Sequence, residues 1–189
     1  FADANWHNID TLSTSTKYFL NTATSTFTVA TGTEGIIADG ITSGLIGYWK
    51  LDETVGVKFQ DYSGFNNTGT AVGTTFVSAG YSGGARSFNG SSDLIDTGTK
   101  FTNVTSTVTI SAWVNPGPSQ AQYADIFGDH DNSYNGFVVQ QHTTNNNLYY
   151  FSYGNGSSWF YSGSFNLTPN QWQHLVVAKD SQYCYVYIN

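Results

Sequence analysis

The chain has 189 residues, enough for one domain with an extension, and only 10% of them are charged while 16% are aromatic; an average domain is about 25% charged. The formal net charge is −7 and Arg86 is the single arginine. Nucleic acids and anionic membrane surfaces are bound by a concentrated basic face, so neither is expected as a partner. No apolar run approaches the roughly 20 residues that a spanning helix needs, so membrane insertion is not expected.

Residues 1–43 are rich in Thr and Ser and poor in bulky apolar side chains. Alternation at 22–30 favours extended strands or a linker over a helix. The segment holds too little apolar surface to fold alone. We therefore expect a strand-like N-terminal extension that packs on the following domain or on another subunit.

Residues 44–189 alternate short runs of β-branched and aromatic residues with turn clusters of Gly, Asn, Asp and Ser. This spacing predicts an all-β, antiparallel sandwich, and no interval shows the helical period of 3.6. The predicted strands are 46–51, 75–77, 85–88, 94–96, 108–114, 124–127, 137–141, 148–153, 159–162, 173–178 and 184–188.

Five separated segments of this domain resemble, in the correct order, the bacterial laminin-G-like jelly rolls of the concanavalin A-like lectin/glucanase group. The segments are Gly-Leu-Ile-Gly-Tyr-Trp-Lys-Leu-Asp-Glu at 44–53, Asp-Tyr-Ser-Gly-Phe-Asn-Asn-Thr-Gly at 61–69, Gly-Gly-Ala-Arg-Ser-Phe-Asn-Gly at 83–90 with Leu-Ile-Asp at 94–96, Val-Thr-Ile-Ser-Ala-Trp-Val-Asn-Pro at 108–116, and Trp-Gln-His-Leu-Val-Val at 172–177.

The resemblance implies a jelly-roll sandwich over 44–189. It also implies that further strands normally follow Ile188 and Asn189, so the C-terminal strands of the jelly roll are expected to be missing from this chain. Closure would then come from a longer chain or from another subunit, since an unpaired strand edge is costly in water.

Several conspicuous side chains are expected to be structural. Trp49, Trp113 and Trp172 lie on strands that the family uses for its core, so packing is favoured over ligand stacking. Cys184, the only cysteine, lies in an apolar alternation and is expected to pack as a small hydrophobe. The string Gly-Tyr-Ser-Gly-Gly at 80–84 matches a nucleophile elbow, but no helix follows, which favours a turn.

No catalytic residue is predicted. Retaining glycoside hydrolysis needs two facing carboxylates, yet the chain has only Glu34 and Glu53 as glutamates and lacks the Glu-x-Asp-x-Glu pattern of glucanases. His174 lies in a β run with no Ser or Cys evidently placed to use it, so a hydrogen-bonded strand histidine is expected.

The loop at 128–136 is the best metal candidate. Alternating acidic and amide residues on a tight loop can supply the oxygens that calcium prefers, and Asp129, Asp131 and Asn132 are the predicted ligands. The pair Asp131 and Asn132 is similar to the calcium loop of pentraxins, which share the jelly roll. An ordinary loop held by its own hydrogen bonds is the alternative, and the same alternative is favoured at Asp61.

Carbohydrate binding needs aromatic rings beside fixed donors and acceptors. The richest such region contains Trp159, Tyr150, Tyr134 and Gln140, together with Tyr161 and His142, and half of these side chains are expected to face the core. The predicted function is a non-catalytic extracellular or cell-surface recognition or adhesion module that binds a glycan or a protein surface. The alternatives are a subunit of an extracellular filament or surface assembly, closed by strand addition between copies, and an accessory module of a carbohydrate-active enzyme.

Overall fold

A computed structural model describes residues 17–21 and 26–30 at the backbone level, and residues 44–98, 107–131, 133–142 and 147–189 with their side chains. Strands are the only regular structure in these ranges, and no helix long and apolar enough to span a membrane occurs in them. The strands are β1 Lys17–Asn21, β2 Thr26–Ala30, β3 Lys58–Phe59, β4 Gly69–Val72, β5 Thr75–Val77, β6 Ala85–Ser87, β7 Leu94–Asp96, β8 Val108–Val114, β9 Asp125–His130, β10 Asn135–Gln141, β11 Leu148–Asn155, β12 Trp159–Tyr161, β13 Phe165–Asn166, β14 Gln173–Lys179 and β15 Cys184–Ile188.

The chain divides into two compact units, the smaller comprising Phe1–Tyr48 with Asp61–Asn66. Within it β1 and β2 form an antiparallel hairpin. The Asp61 carboxylate accepts hydrogen bonds from the backbone N–H of Tyr48 at 2.9 Å and from the N–H and hydroxyl of Ser63 at 2.8 and 2.7 Å. Asp61 therefore stabilises its loop by hydrogen bonding, as the sequence predicts.

The larger unit comprises Trp49–Gln60 and Asn67–Asn189. Its largest sheet is antiparallel with the order β12-β11-β10-β9, and β13 pairs with β11 beyond the end of β12. A second antiparallel sheet has the order β15-β14-β8. Smaller sheets are formed by β3-β4-β7 and by β5-β6.

The two main sheets face one another across the core. From the first sheet Phe137, Val139, Tyr149 and Phe151 are buried, and from the second Leu175 and Val177. Each strand contributes alternate residues to this core because successive side chains of a strand point to opposite faces. The fold is thus the all-β, antiparallel jelly-roll sandwich predicted from the sequence.

The predicted strand at 46–51 is wrong, because the structure has only an isolated bridge there, at Trp49. Leu51 has a φ of 59°, in the left-handed region that an extended strand cannot include.

Three short strands of the larger unit were not predicted: β3, β4 and β13, of two to four residues. The boundary placed at residue 44 stays a prediction.

Candidate functional site

The outer face of the largest sheet, directed away from the core, carries the candidate site. Residues that pair directly across an antiparallel sheet share a face, so the strand register places three rows of side chains there. The rows are His130, Gly136, Gly154 and Trp159; Gly128, Val138, Ser152 and Tyr161; and Asp125, Gln140 and Tyr150.

Glycines shape one end of this face. Gly136 and Gly154 pair with one another between His130 and Trp159. A Cβ atom at Gly154 would collide with the carbonyl oxygen of Tyr134. Because neither glycine has a side chain, the rings of His130 and Trp159 meet over them, edge to face, with centroids 6.0 Å apart.

A groove of about 300 Å³ lies between these rings and a group of tyrosines. We call it the Trp159 groove, and its lining residues are Tyr123, His130, Asp131, Tyr134, Val138, Gln140, Tyr150, Ser152, Trp159 and Tyr161. Val138 and Ser152, each 3% exposed, form its floor. Trp159 is half-buried with Tyr134 beside it, at a centroid distance of 6.5 Å.

A hydrogen-bonded network fixes the polar side of the groove. The Tyr150 hydroxyl donates to Gln140 Oε1 at 2.6 Å, and Gln140 Nε2 donates to Asp125 Oδ1 at 2.8 Å. The other carboxylate oxygen of Asp125 lies 3.3 Å from His130 Nε2. These contacts hold the Gln140 amide and the Tyr150 hydroxyl in one orientation. Any further hydrogen bond that these two groups make to a ligand therefore has a fixed direction.

The phenol of Tyr150 stays protonated well into alkaline conditions. Burial raises its pKa, and the neighbouring Tyr161, Tyr123 and Asp125 raise it further. The Tyr150 hydroxyl therefore acts as a neutral hydrogen-bonding group at physiological pH.

A second hollow, of about 290 Å³, adjoins the groove. We call it the His142 hollow, and its lining residues are Tyr123, His142, Tyr150, Tyr161, Ser162 and Ser164. Tyr123, Tyr150 and Tyr161 line both depressions. The rings of Tyr150 and Tyr161 meet edge to face at 5.5 Å, so together they form a ridge between the two.

The structure brings all four predicted carbohydrate-binding residues, Trp159, Tyr150, Tyr134 and Gln140, to the Trp159 groove. Carbohydrate binding itself stays a prediction. The expectation that half of the wider set faces the core is wrong, because Tyr161 also lines the groove and His142 lines the adjoining hollow. The strand register puts these side chains on one face, because residues 140 and 150 are direct partners and residues 159 and 161 lie on the same side of one strand.

Asp125, His130 and Tyr123 were not predicted from the sequence. Asp125 and His130 lie five positions apart on β9, and their contact with the other groove residues depends on cross-strand pairing. The pairing of β9 with β10 shifts by one residue between Val139 and Gln140, which no local pattern predicts. The two glycines were the available signal, since a strand glycine often marks the close approach of another group.

At the predicted metal loop, the Asp131 carboxylate is engaged by protein donors. Oδ1 accepts the backbone N–H of Ser133 at 2.7 Å and that of Asn135 at 3.1 Å, and the Asn135 amide donates to Oδ2 at 3.1 Å. Asp129 pairs with Phe137 on the core side of β9, while Asn132 lies outside the described residues. The described part of the chain has no cluster of three or more acidic, His or Cys side chains. The described residues of this loop are thus held by hydrogen bonds to Asp131, and calcium binding stays a prediction.

The outer face of the second sheet corrects two expectations. Trp113 is 41% exposed and stacks between Tyr81, at a centroid distance of 3.3 Å, and His174, at 5.0 Å, whereas its neighbours on β8 face the core. Ser111 does lie next to His174, with Oγ and Nε2 2.8 Å apart. His174 is thus a hydrogen-bonded strand histidine, but with a serine partner that adjacent strands provide and sequence spacing does not reveal.

Other predicted structural roles agree with the geometry. The Gly-Tyr-Ser-Gly-Gly string forms a turn in which the Gly80 N–H donates to the Gly83 carbonyl at 2.9 Å. Cys184 packs against the core, and burial raises the pKa of its thiol. Glu53 accepts a hydrogen bond from the backbone N–H of Gln60 at 3.1 Å.

Comparison with known proteins agrees with this architecture. Residues 89–189, just over half of the chain, match the Laminin G 3 family model, which is described as "Concanavalin A-like lectin/glucanases superfamily". A solved structure of an S-layer domain-containing protein (residues 221–444) from Clostridium thermocellum is 20% identical, with 75% of this chain and 67% of that one covered and a TM-score of 0.47. No curated protein matches the chain. By its family match, the chain belongs to the laminin-G-like branch of the concanavalin A-like lectin/glucanases superfamily.

Proposed function

We propose that the chain is a non-catalytic, extracellular or cell-surface recognition module that binds a glycan in the Trp159 groove. One observation carries this proposal. Aromatic rings from two strands and one loop, those of Trp159, Tyr150 and Tyr134, converge on a single groove whose polar side is held by Gln140 and its hydrogen-bonded partners.

This arrangement matches the chemistry of a sugar. A pyranose has an apolar C–H face that packs against an aromatic ring, while its hydroxyls need oriented donors and acceptors. The groove offers the indole of Trp159 for the first purpose. The Tyr150 hydroxyl, the Gln140 amide and the Tyr134 phenol, which is 45% exposed, serve the second.

The carboxylates at the groove have hydrogen-bonding roles that are compatible with a binding site. Glycoside hydrolysis needs one carboxyl group as acid and another as base or nucleophile. Asp125 is tied to Gln140 and His130, and Asp131 holds its own loop through Ser133 and Asn135. Groups fixed in such hydrogen bonds position the site and do not need to take part in a reaction.

The test is a glycan array followed by calorimetric titration of the best ligand. We expect Trp159→Ala to weaken binding at least tenfold while leaving the melting temperature nearly unchanged, because Trp159 is half-buried at the surface of β12. Trp113→Ala, which removes a tryptophan of the other sheet, is the matched control and should bind normally. The proposal fails if the wild-type protein binds no glycan or if Trp159→Ala binds as well as the wild type.

Assembly by strand addition is the second candidate function. β15 lies at one edge of its sheet, and three tyrosines along or beside it, Tyr183, Tyr185 and Tyr187, are 61%, 41% and 47% exposed. An edge strand with aromatic neighbours can accept a further strand through backbone hydrogen bonds. Light scattering over a range of concentrations separates the two functions: assembly requires the mass to rise with concentration, while glycan recognition does not.

A further inference from the structure

The Trp159 groove and the His142 hollow form one continuous site on the sheet. They share Tyr123, Tyr150 and Tyr161, and both open on the outer face. Along β10 the site runs from the row of Gly136 to His142, six residues further on, which is about 20 Å of extended strand. This length is several times the width of a single sugar ring.

We infer that the site takes an uncharged glycan chain that spans both depressions, not a single terminal sugar and not an acidic or sulfated glycan. This inference rests on the proposed function, because it specifies the ligand of the same groove. Two observations carry it, namely the second hollow across the tyrosine ridge and the charges of the lining residues.

The ridge divides the site into two places for sugar rings. Tyr150 and Tyr161 present ring surfaces to both sides, and Tyr161 is 63% exposed. A chain crossing the ridge contacts Trp159 and Tyr134 on one side and His142, Ser162 and Ser164 on the other. The contacts of a single sugar are confined to one side, so affinity rises with chain length until both depressions are filled.

The lining residues disfavour an anionic ligand. Among the described residues neither depression is lined by a lysine or an arginine, the side chains that normally bind sulfate and carboxylate groups. With histidine counted as neutral, the charged groups at the site are instead Asp131 and, beneath Gln140, Asp125. With a net charge of −7 on the whole chain, the field at the site repels acidic glycans.

The experiment compares dissociation constants along ladders of neutral gluco-, manno-, xylo- and galacto-oligosaccharides of one to six units, with heparin hexasaccharide as the sulfated probe. NMR titration measures the short members and calorimetry the long ones. We expect the dissociation constant in the preferred ladder to fall at least tenfold between one and four units, and heparin to bind at least tenfold more weakly than the neutral hexasaccharide.

Two variants address the second hollow alone. His142→Ala removes a ring from the His142 hollow, and Ser164→Trp fills it. Each should weaken hexasaccharide binding at least fivefold and leave the shortest ligand unaffected, while Trp159→Ala weakens both. Tyr183→Ala is the control, because Tyr183 is exposed and lies just before β15 of the other sheet. Ser164→Trp keeps the test decisive if His142→Ala does not fold.

The outcomes separate this inference from the proposed function. If the wild type binds neither a neutral sugar of any length nor heparin, the proposed function fails. If neutral sugars bind with an affinity that is independent of length, if both hollow variants bind the hexasaccharide normally, or if heparin binds more tightly, glycan recognition stands and the two-depression neutral site is overturned.

Discussion

Truncation of Phe151 tests the sandwich core directly. Phe151 is 0% exposed and lies in the cluster between the two main sheets, paired with Val139 and stacked on Tyr153 at 6.3 Å. Phe151→Ala removes a fully buried ring and leaves a cavity, which costs about 3–5 kcal/mol. Since domains are stable by roughly 5–15 kcal/mol, this variant should lose about a fifth or more of its free energy of unfolding.

Phe160→Ala is the matched control. Phe160 lies on the neighbouring strand β12 but is 43% exposed, so about half of its transfer free energy is involved and no closed cavity forms. We expect a loss of about 1 kcal/mol. Urea unfolding followed by tryptophan fluorescence measures both variants, and with a slope near 2 kcal/mol/M the Phe151→Ala midpoint should fall by about 2 M. Equal losses for the two variants would refute the assignment of Phe151 to the core.

Three further predictions concern pH, the Asp131 loop and the glycine pair. Burial raises the pKa of Tyr149, so the folded state keeps a proton that the unfolded state loses near pH 10. The contribution of Tyr149 to the unfolding free energy should be constant below about pH 9 and fall above it, so the alkaline loss of stability should be less steep in Tyr149→Phe. Asp131→Ala should cost about 1 kcal/mol through its lost hydrogen bonds. If the loop also binds calcium, added calcium should raise the wild-type melting temperature and Asp131→Ala should abolish the rise, whereas an unchanged melting temperature would contradict a metal site. Gly154→Ala should lower the free energy of unfolding by about 1–3 kcal/mol and weaken glycan binding, because the added Cβ meets the Tyr134 carbonyl. Gly163 faces open space, so Gly163→Ala should change neither stability nor binding.

Strand existence was predictable where alternation is long or turns are clear. The strands at 75–77, 94–96, 108–114 and 184–188 have the predicted bounds. Two-residue strands such as β3 and β13 carry too few residues for any period to appear. At 46–51 only the isolated bridge at Trp49 forms, and Leu51 at the end of this segment has a left-handed backbone that its sequence does not signal.

The candidate site was predictable only in part, since Trp159, Tyr150, Tyr134 and Gln140 were expected there, whereas Asp125, His130 and Tyr123 were not. Trp159, Tyr150 and Tyr134 stand out because aromatic and amide residues cluster along one stretch of sequence. Asp125 and His130 enter the groove through pairing with β10, and register between strands is set by the whole sheet. The outward direction of Trp113 was also not predicted. Val108, Ile110 and Val114 of the same strand pack against the core, so Trp113, at an odd-numbered position between them, points to the opposite face.

The most direct measurement is an NMR titration of the indole N–H signals of the five tryptophans with a neutral oligosaccharide, the Trp159 signal being assigned from a Trp159→Phe spectrum. Binding in the groove predicts that the Trp159 signal shifts progressively and saturates, while the signal of Trp113 on the other sheet stays in place. A saturable shift at Trp113 with none at Trp159, or no shift with any neutral chain, would contradict recognition of a neutral glycan at the Trp159 groove.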